Sequence, residues 1–557
     1  MRTFEENQSL AVLAVAGTHV ITLGMNLPQP MAAQLLGFSI QRTELAINKT
    51  VWLDALKVFQ SVLPQKPAGQ LVSTEMHPIQ DFFWSDFTVR PGRAYRYRIL
   101  ARSGPPSAMN TLAEVTVDVT TEQSSDGESH EVYFNRGVAG SQAFVNRFGS
   151  GSFASIEAQR HDEVYNWLSR GLREAMVGFI QQATGPTFGL RLSVYEFSYE
   201  PVIQELVAAR QRGVDVQIVV HAHADTDAER REVEKVRELV ERLGLTPVTV
   251  FREHTVTISH NKFFVLLENN SPKAVWTGST NLTNGGIHGH SNVGHVVRLP
   301  EVAKLYLRYW QLLHADTPSA SLQASTLQMA IDPVVGSQAA PNETGVYFSP
   351  RAQLRVLDWY AEQMDAQTKL AFITVPFGLD KRFETILAKE GRTNPIYVVS
   401  DKTDPGLRAN AIVKNPANQV AYGSMLNQLN NLEGWIKERL TPLNARVRYI
   451  HTKYLLLDPL GDDPVTISGS ANFSESSVQK NDENMLVIRG DKRVADIYFG
   501  EFMRLFRHFY FRDLVTTVDS GERPDRLFLD ETPAWTLPFY VPGSPKEITR
   551  NYFSGTL

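Results

Sequence analysis

Hydrophobic and polar positions along this chain follow two different periods. In residues 1–129 apolar and polar side chains alternate over short runs, of which 94–100 and 114–120 are the clearest. A period of two is typical of strands with one buried face. We therefore predict a mainly β domain at 1–129, with a helix at 54–63 inserted among its strands.

The apolar run at 10–17 has the composition of the middle part of a signal peptide. However, Glu5 and Glu6 stand where such a leader carries basic residues, and the run continues at 18–23 with strand-like residues. We predict a strand at this place and a cytoplasmic protein, with secretion by a signal-independent route left open. The sequence contains no stretch long and apolar enough to span a bilayer.

Beyond residue 129 the pattern changes to strands that alternate with helices. A strand at 192–195 is followed by a helix with Val202 and Leu206 on one face, and then by a strand at 214–220. Residues 370–399 show the same order of strand, helix and strand. Such alternation predicts an α/β fold.

This α/β region also repeats itself. Two similar stretches open with the same Val-Tyr-Phe tripeptide, at 132–134 and at 346–348. We place a first half at 130–320, a connector at 321–343 and a second half at 344–515. The tail at 516–557, rich in proline and aromatic residues, is predicted to be irregular and packed on the catalytic body, although its aromatic residues would also suit contact with lipid.

The repeat extends to the residues that carry chemistry. His260 precedes Gly278 by the same 18 residues that separate His451 from Gly469. A lysine stands two positions after each histidine, and each glycine opens a Gly-Ser-x-Asn turn. We predict strands at 257–267 and 447–457, in which positions i and i+2 share a face, so that histidine and lysine project together. An imidazole, an ammonium, a hydroxyl and an amide on one wall suit a phosphate.

These motifs resemble those of the phospholipase D superfamily, which are HxK, four residues, Asp, and then a GSxxN-type turn. The second copy has Asp458 five residues after Lys453, whereas the first has Leu267 there and its nearest acid, Glu268, one residue late. In the family this aspartate is mainly structural. The resemblance implies two α/β sandwich halves related by pseudo-twofold symmetry, and a metal-independent phosphodiesterase with a phosphohistidine intermediate.

A further family position lies eleven residues after each motif asparagine and binds the ring nitrogen that does not react. This position holds Asn292 in the first half and Glu483 in the second. A carboxylate favours imidazolium, whereas an amide leaves the ring neutral. On the expectation that each residue serves its own half, we predict His260 as the nucleophile and His451 as the general acid.

The site is therefore predicted to share one phosphate between the two halves. The lysines, serines and asparagines are expected to hold the non-bridging oxygens, with no cofactor and no metal. The predicted site residues are His260, Lys262, Ser279, Asn281, Asn292, His451, Lys453, Asp458, Ser470, Asn472 and Glu483. Because both halves lie in one chain, a monomer suffices for catalysis.

Other histidines have simpler explanations. His221, His223 and Asp225 have the spacing of metal ligands at the end of a strand, and His288, His290 and His295 follow the first Gly-Ser turn. Without further ligands at matching spacing, lining a pocket or capping a helix is favoured over binding zinc.

Composition is that of an ordinary globular enzyme. The chain has 557 residues, 43% of them hydrophobic, a net charge of −5 and no cysteine. The absence of cysteine excludes disulfides, thiol catalysis and cysteine-ligated metals, and the charge gives no overall basic footprint for nucleic acid. The N-terminal strands weakly resemble a fibronectin type III or immunoglobulin-like sandwich, and the whole chain resembles a bacterial phospholipase D-like protein with such a domain added.

Three functions remain open from the sequence. The first is hydrolysis or transphosphatidylation of glycerophospholipid head groups, with peripheral contact to a membrane. The second is a nuclease or nucleic-acid phosphodiesterase, because the order of amide first and carboxylate second resembles tyrosyl-DNA phosphodiesterases. The third is a binding protein built on a catalytically degenerate copy of the enzyme. Its support is the absence of the motif aspartate from the first half.

Overall fold

A computed structural model describes most of the chain. The described residues are 1–65, 71–125, 127–137, 142–149, 153–327, 342–366, 369–401, 406–407, 410–423, 443, 449–519 and 528–556.

The N-terminal region consists of two antiparallel four-stranded sheets with a shared core. Their orders are β1-β2-β3-β8 and β10-β9-β4-β5, and β6 pairs with β7 beside them. The elements are β1 (Arg2–Asn7), β2 (Leu10–Ala16), β3 (Ile21–Asn26), α1 (Gln29–Ala32), β4 (Gly37–Glu44), β5 (Lys49–Trp52), β6 (Asp54–Ala55), β7 (Val72–Ser73), β8 (Phe83–Asp86), β9 (Ala94–Ser103) and β10 (Asn110–Thr120). The strands predicted near the N-terminus, at 94–100 and at 114–120 are confirmed.

The helix predicted at 54–63 is wrong, because the segment forms β6 followed by turns. Val58 pairs with Phe528 in an isolated bridge, and Phe59 packs with Leu36 and Leu529 in a small core. Burial against distant parts of the chain thus outweighs the local helical pattern.

The first half contains a mixed seven-stranded sheet of order β11-β17-β16-β15-β12-β13-β14. Its elements are β11 (His130–Phe134), α2 (Gln142–Phe148), α3 (Phe153–Ser169), α4 (Leu172–Gln181), β12 (Phe188–Val194), α5 (Glu200–Gln211), β13 (Asp215–His221), α6 (Asp227–Arg242), β14 (Thr249–Arg252), β15 (Lys262–Glu268), β16 (Ser271–Gly278), β17 (Val293–Val297), α7 (Pro300–His314) and α8 (Ser319–Leu327). The predicted connector thus begins inside a helix, and its residues 328–341 lie outside the described ones.

The second half repeats the sheet in the order β18-β24-β23-β22-β19-β20-β21. Its elements are β18 (Thr344–Ser349), α9 (Arg355–Ala366), β19 (Ala371–Val375), α10 (Lys381–Ala388), β20 (Ile396–Ser400), α11 (Asn410–Val413), β21 (Asn418–Tyr422), β22 (Tyr454–Leu457), β23 (Val465–Gly469), α12 (Glu475–Gln479), β24 (Glu483–Arg489) and α13 (Lys492–Asp519). Position by position the two orders correspond, so the predicted duplicated α/β fold is confirmed.

One continuous core joins the two sheets. Phe263 of the first sheet and Phe372 of the second belong to it, together with Tyr306 of α7 and Phe502 of α13. Separate cores lie on the other face of each sheet, beneath the remaining helices. The burial of apolar surface therefore holds the two halves face to face. It also fixes the position of the chain segments that lie between the two sheets.

The C-terminal tail is more regular than predicted, and it packs on the N-terminal sandwich as well as on the body. It forms a 3₁₀-helix, Pro533–Tyr540, and then α14 (Pro545–Phe553). Trp535 and Phe539 pack on Phe82 of the N-terminal sandwich, with ring centroids 5.4 and 5.0 Å apart. Tyr552 and Phe553, at the end of α14, enter the core of the body, and Ile548 packs against it.

Candidate active site

The two motif histidines lie just before strands rather than inside them. Strand β15 begins at Lys262 and β22 at Tyr454, so the strands predicted at 257–267 and 447–457 start too early, and residues 447 and 448 lie outside the described ones. Each histidine segment instead crosses to the opposite half: the His260 amide donates to the carbonyl of Asp482 at 2.9 Å, and the His451 amide to that of Ser291 at 3.0 Å.

This crossing decides which residue each histidine meets. Nδ1 of His260 lies 2.9 Å from both carboxylate oxygens of Glu483. Nδ1 of His451 lies 2.9 Å from Oδ1 of Asn292 and 3.1 Å from the carbonyl oxygen of Ser279. The expectation that Asn292 and Glu483 each bind the histidine of their own half is wrong. The segment of His260 pairs with Asp482, which directly precedes Glu483, and the segment of His451 pairs with Ser291, which directly precedes Asn292.

The hydrogen bonds also fix which ring nitrogen is available for chemistry. Carboxylate and carbonyl oxygens only accept here, so Nδ1 donates in both rings and Nε2 is left for the reaction. Burial lowers the pKa of His260 to about 4, although Glu483 opposes the change. Burial and the neighbouring Lys453 hold the pKa of His451 well below its usual range. In the absence of substrate both shifts favour the neutral ring.

The motif serines, which were predicted to hold phosphate oxygens, donate to the residues that hydrogen-bond the histidines. Ser279 Oγ donates to Asn292 Oδ1 at 2.8 Å, and Ser470 Oγ donates to Glu483 Oε2 at 2.7 Å. The motif glycines permit this approach: a Cβ on Gly278 would lie 2.2 Å from the carbonyl oxygen of Val293. Each serine therefore orients the residue that orients a histidine.

The two motif lysines are fully buried and close to each other. Nζ of Lys262 donates to the carbonyl of His260 at 2.5 Å, and Nζ of Lys453 to that of His451 at 2.6 Å. Burial lowers the pKa of Lys262 to about 7, and burial together with Lys262 holds that of Lys453 well below normal. A bound phosphate anion would favour the charged form of both ammonium groups.

The first motif asparagine, Asn281, lies beside a carboxylate that the sequence reasoning missed. Nδ2 of Asn281 donates to Oε2 of Glu196 at 2.6 Å. The Oδ1 atoms of Asn281 and Asn472 are buried and have no hydrogen-bond partner among the described residues. Glu196 follows β12 at the carboxyl end of the sheet, where ligands gather in open α/β folds. That rule is the signal that would have found it.

The family aspartate lies outside the histidine centre. Asp458 turns the chain after β22 with a φ of 44° and accepts the amide of Leu370 at 2.9 Å. In the first half β15 simply continues, and Leu267 pairs with Gly189 in the ladder. Strand pairing thus replaces the missing aspartate, whose predicted role was structural.

Three further side chains lie beside the histidines. His290 was predicted only to line a pocket or cap a helix, and Tyr195 and Phe377 were not predicted. The ring of Tyr195 lies 4.9 Å from that of His260, and the ring of Phe377 lies 5.9 Å from that of His451. His290 is buried 5.0 Å from the His451 ring, and neither of its nitrogens has a hydrogen-bond partner among the described residues. Aligning the halves on Asn292 and Glu483 places Asn481 at the position of His290.

His221, which has the spacing of a metal ligand, positions the segment that carries His260. Nδ1 of His221 accepts the amide of Ser259, next to His260, at 3.2 Å. Asp401 does the same in the second half, accepting the amide of Ile450 at 2.8 Å. In the described part of the chain no three histidine or acidic residues are grouped so as to hold a metal ion.

The duplicated sheets and the paired histidine centre define a phospholipase D-like enzyme, a class of phosphodiesterases and phosphotransferases. Residues 177–313 and 361–506, together more than half of the chain, match the family described as cardiolipin synthase, PLD-like domain. The chain belongs to this family. No curated protein matches it in sequence.

Some solved structures are similar to parts of this chain. Phosphatidylserine synthase from Haemophilus influenzae Rd KW20 is 12% identical over 64% of this chain and 92% of its own, with a TM-score of 0.43. Yeast tyrosyl-DNA phosphodiesterase is 11% identical over 58% and 88%, with a TM-score of 0.32. Polyphosphate kinase from Porphyromonas gingivalis is 12% identical over 58% of this chain, which spans 46% of the kinase, with a TM-score of 0.37.

No helix in the described ranges combines the length and the apolar character needed to cross a membrane.

Proposed function

We propose that the protein is a metal-independent phosphodiesterase that forms a phosphohistidine and cleaves the head-group diester of glycerophospholipids, by hydrolysis or by transfer to another alcohol. One observation carries the proposal. Two buried histidines, one from each half, donate Nδ1–H to unlike partners, Glu483 and Asn292, beside two buried lysines. This arrangement suits a two-step displacement in which the rings do different work.

His260 is assigned as the nucleophile. Once Nε2 of this ring bonds to phosphorus, the ring keeps its Nδ1–H and carries a positive charge for the lifetime of the intermediate. Glu483, 2.9 Å away, stabilises that charge. His451 has only neutral acceptors at Nδ1, so it returns readily to the neutral form after giving up a proton. The roles are those expected from the sequence, but the physical reason is the reverse of the one given there.

In the first step Nε2 of His260 attacks phosphorus, and the bond from phosphorus to the head-group oxygen breaks. His451, protonated in the substrate complex, gives its Nε2 proton to that leaving oxygen. In the second step His451 takes a proton from water or another alcohol, whose oxygen attacks phosphorus and breaks the bond to His260. Lys262 and Lys453 stabilise the charge on the non-bridging oxygens in both steps.

Lipid is favoured over nucleic acid by the surroundings of the site. Phe377, whose ring lies 5.9 Å from that of His451, is 51% exposed and offers an apolar surface beside this histidine. Glu196 and Asp401 both act on Lys453, and carboxylates there repel a polyanionic backbone. The family description, cardiolipin synthase, agrees with a lipid diester.

The test is release of head groups from phosphatidylcholine and phosphatidylethanolamine vesicles in EDTA by the wild type, His260→Ala and His161→Ala. His161 is an exposed histidine, with 66% of its side chain accessible, and serves as the matched control. We expect release that survives EDTA, continues in His161→Ala and disappears in His260→Ala.

Release by folded His260→Ala, or release that stops in EDTA, would overturn the proposal. Cleavage of single-stranded DNA without release from lipid would assign the protein as a nuclease. A folded wild type that turns over neither substrate would be a binding protein.

A further inference from the structure

We infer that His290 holds the water that hydrolyses the phosphohistidine, and that it thereby sets the share of hydrolysis against transfer to other alcohols. The inference rests on the proposed function and adds to it a residue that selects the acceptor. It starts from a buried imidazole that the two-step displacement does not use.

The polar atoms of the His290 ring are buried and unpaired. Nδ1 and Nε2 both lack a hydrogen-bond partner among the described residues. The backbone of the residue is held in place, because its carbonyl accepts Nδ2 of Asn135 at 2.8 Å and its amide donates to the carbonyl of Gly285 at 3.3 Å. Unpaired polar groups inside a protein cost free energy. A ring fixed in this state therefore indicates a ligand that pairs with it.

The local backbone turns His290 toward His451. His290 has an extended conformation, with φ −132° and ψ 159°, and Ser291 pairs with the segment that carries His451. In extended chain residues i and i+2 share a face, so His290 and Asn292 project to the same side. Asn292 accepts Nδ1–H of His451 there, and the ring of His290 lies 5.0 Å from the His451 ring. His290 thus stands beside the general acid.

This side of the phosphate is the one on which oxygen leaves and enters. In an in-line displacement the attacking and leaving atoms lie on opposite sides of phosphorus. With His260 bonded on one side, the head-group oxygen leaves and water attacks on the other, within reach of His451. The charge of Lys453 also acts on His290, which agrees with a place beside the bound phosphate.

A neutral imidazole at this place suits water better than an alcohol. Burial lowers the pKa of His290 to about 3, which favours the neutral ring with one donor and one acceptor nitrogen. A water that gives one hydrogen to Nε2 of His451 has a second, which the acceptor nitrogen of His290 can take. As this water attacks, its first proton passes to His451, the new bond from oxygen to phosphorus forms, and the bond from phosphorus to His260 breaks. An alcohol has no second hydrogen to pair.

The corresponding residue of the second half is used differently. Asn481 stands at the position of His290, and its Nδ2 donates to Oε1 of Glu483 at 3.2 Å. It thus supports the residue that orients His260. His290 makes no such bond to Asn292 within the described residues. Its nitrogens remain available on the side where the acceptor enters.

The experiment follows bis(p-nitrophenyl) phosphate in aqueous methanol. The first step releases nitrophenolate, and the second gives p-nitrophenyl phosphate with water or its methyl ester with methanol, so the product ratio reports the acceptor. His290→Leu removes both nitrogens, whereas His290→Asn and His290→Gln place an amide near Nδ1 and near Nε2. His288→Asn is the matched control, at a buried histidine two residues away whose Nε2 lies 3.1 Å from Oη of Tyr199. Thermal unfolding checks that each variant folds.

We expect the first release of nitrophenolate to be unchanged in His290→Leu, because this leaving group needs no proton. Hydrolysis of the phosphoenzyme should slow about tenfold, since the second hydrogen of the water is then unpaired in a buried place. The product ratio should shift toward the methyl ester by a similar factor. The amide whose oxygen stands at the acceptor nitrogen should restore the ratio, and His288→Asn should leave it unchanged.

An unchanged ratio in His290→Leu would overturn the inference even if turnover fell, because a residue that acts only through His451 slows water and methanol alike. A slower first step, or a ratio that neither amide restores, would also overturn it. If His290→Leu does not fold, the two amides carry the test, and equal ratios in both would contradict the inference. A wild type that does not cleave the reporter refutes the proposed phosphodiesterase itself, whereas cleavage with one ratio in all variants refutes only the role of His290.

Discussion

The two halves of the body share a strand order and a set of motif residues, yet their histidines stand in unlike surroundings. His260 donates to a carboxylate and His451 to an amide and a backbone carbonyl. His290 packs against His451 where the other half has Asn481. Duplication thus supplied the frame, and the differences at a few buried positions supply the asymmetry that a two-step displacement needs.

The comparison also shows that neither half contains both a motif histidine and the residue that hydrogen-bonds its ring. Each histidine segment pairs with the opposite half, and each histidine receives its partner from there. A half folded on its own would lack the group that orients its imidazole. The shared core between the sheets therefore also holds each histidine against its partner.

The largest expected effect comes from replacing each histidine with asparagine. Either change should lower turnover by about 10³–10⁴-fold, because nucleophile and general acid are each indispensable. With bis(p-nitrophenyl) phosphate, whose leaving group needs no proton, His451→Asn should release one equivalent of nitrophenolate and then stop. Mass spectrometry should find the adduct on His260 in this variant and no adduct in His260→Asn. An adduct on His451 would exchange the two roles.

Changing the residue that hydrogen-bonds each histidine should have a smaller effect on turnover. The pKa of the histidine should fall in the variant of Glu483 and rise in the variant of Asn292. Glu483→Gln leaves the charge on phosphorylated His260 unsupported, and we expect a loss of about a hundredfold. Since Glu483 raises the pKa of His260 against burial, its loss lowers that pKa further. The ring of His260 then stays neutral down to a lower pH, and the acid limb of the pH profile of kcat/KM moves to lower pH.

Asn292→Glu is the counterpart. A carboxylate at Nδ1 of His451 favours the protonated ring, so its pKa rises and the general acid stays charged to higher pH. We expect the alkaline limb for alkyl esters to move up by about one pH unit. Asn292→Gln is the uncharged control. Limbs that move in the same direction in Glu483→Gln and Asn292→Glu would contradict the assigned pairs.

The smallest expected effect concerns the serines. Ser470 donates to a charged acceptor and Ser279 to a neutral one, whereas both accept a backbone amide at similar distances of 3.0 and 3.1 Å. Serine to alanine should therefore lower the free energy of unfolding by about 2 kcal/mol at 470 and about 1 kcal/mol at 279. Urea unfolding measures both, and equal losses would show that Glu483 does not carry its charge into the folded state.

Local periodicity was enough to predict most strands, the repeated halves and the mixed α/β body. It failed at 54–63 and in the tail, where Val58 is buried and Trp535 half-buried by parts of the chain far away in sequence. The strands predicted at 257–267 and 447–457 begin too early for a related reason. The apolar residues before His260 and His451 serve pairing between the halves, and this has the same composition as pairing within a sheet.

The sequence by itself determined the set of reactive groups, because motif residues at equal spacing in two copies are visible without coordinates. Only the tertiary structure decided how they are paired, since His260 and Glu483 lie 223 residues apart and the choice between two possible partners depends on how the halves face each other. It also brought in Glu196 and His290, which belong to no motif. Their environment is created by burial between the halves, and a linear pattern does not contain it.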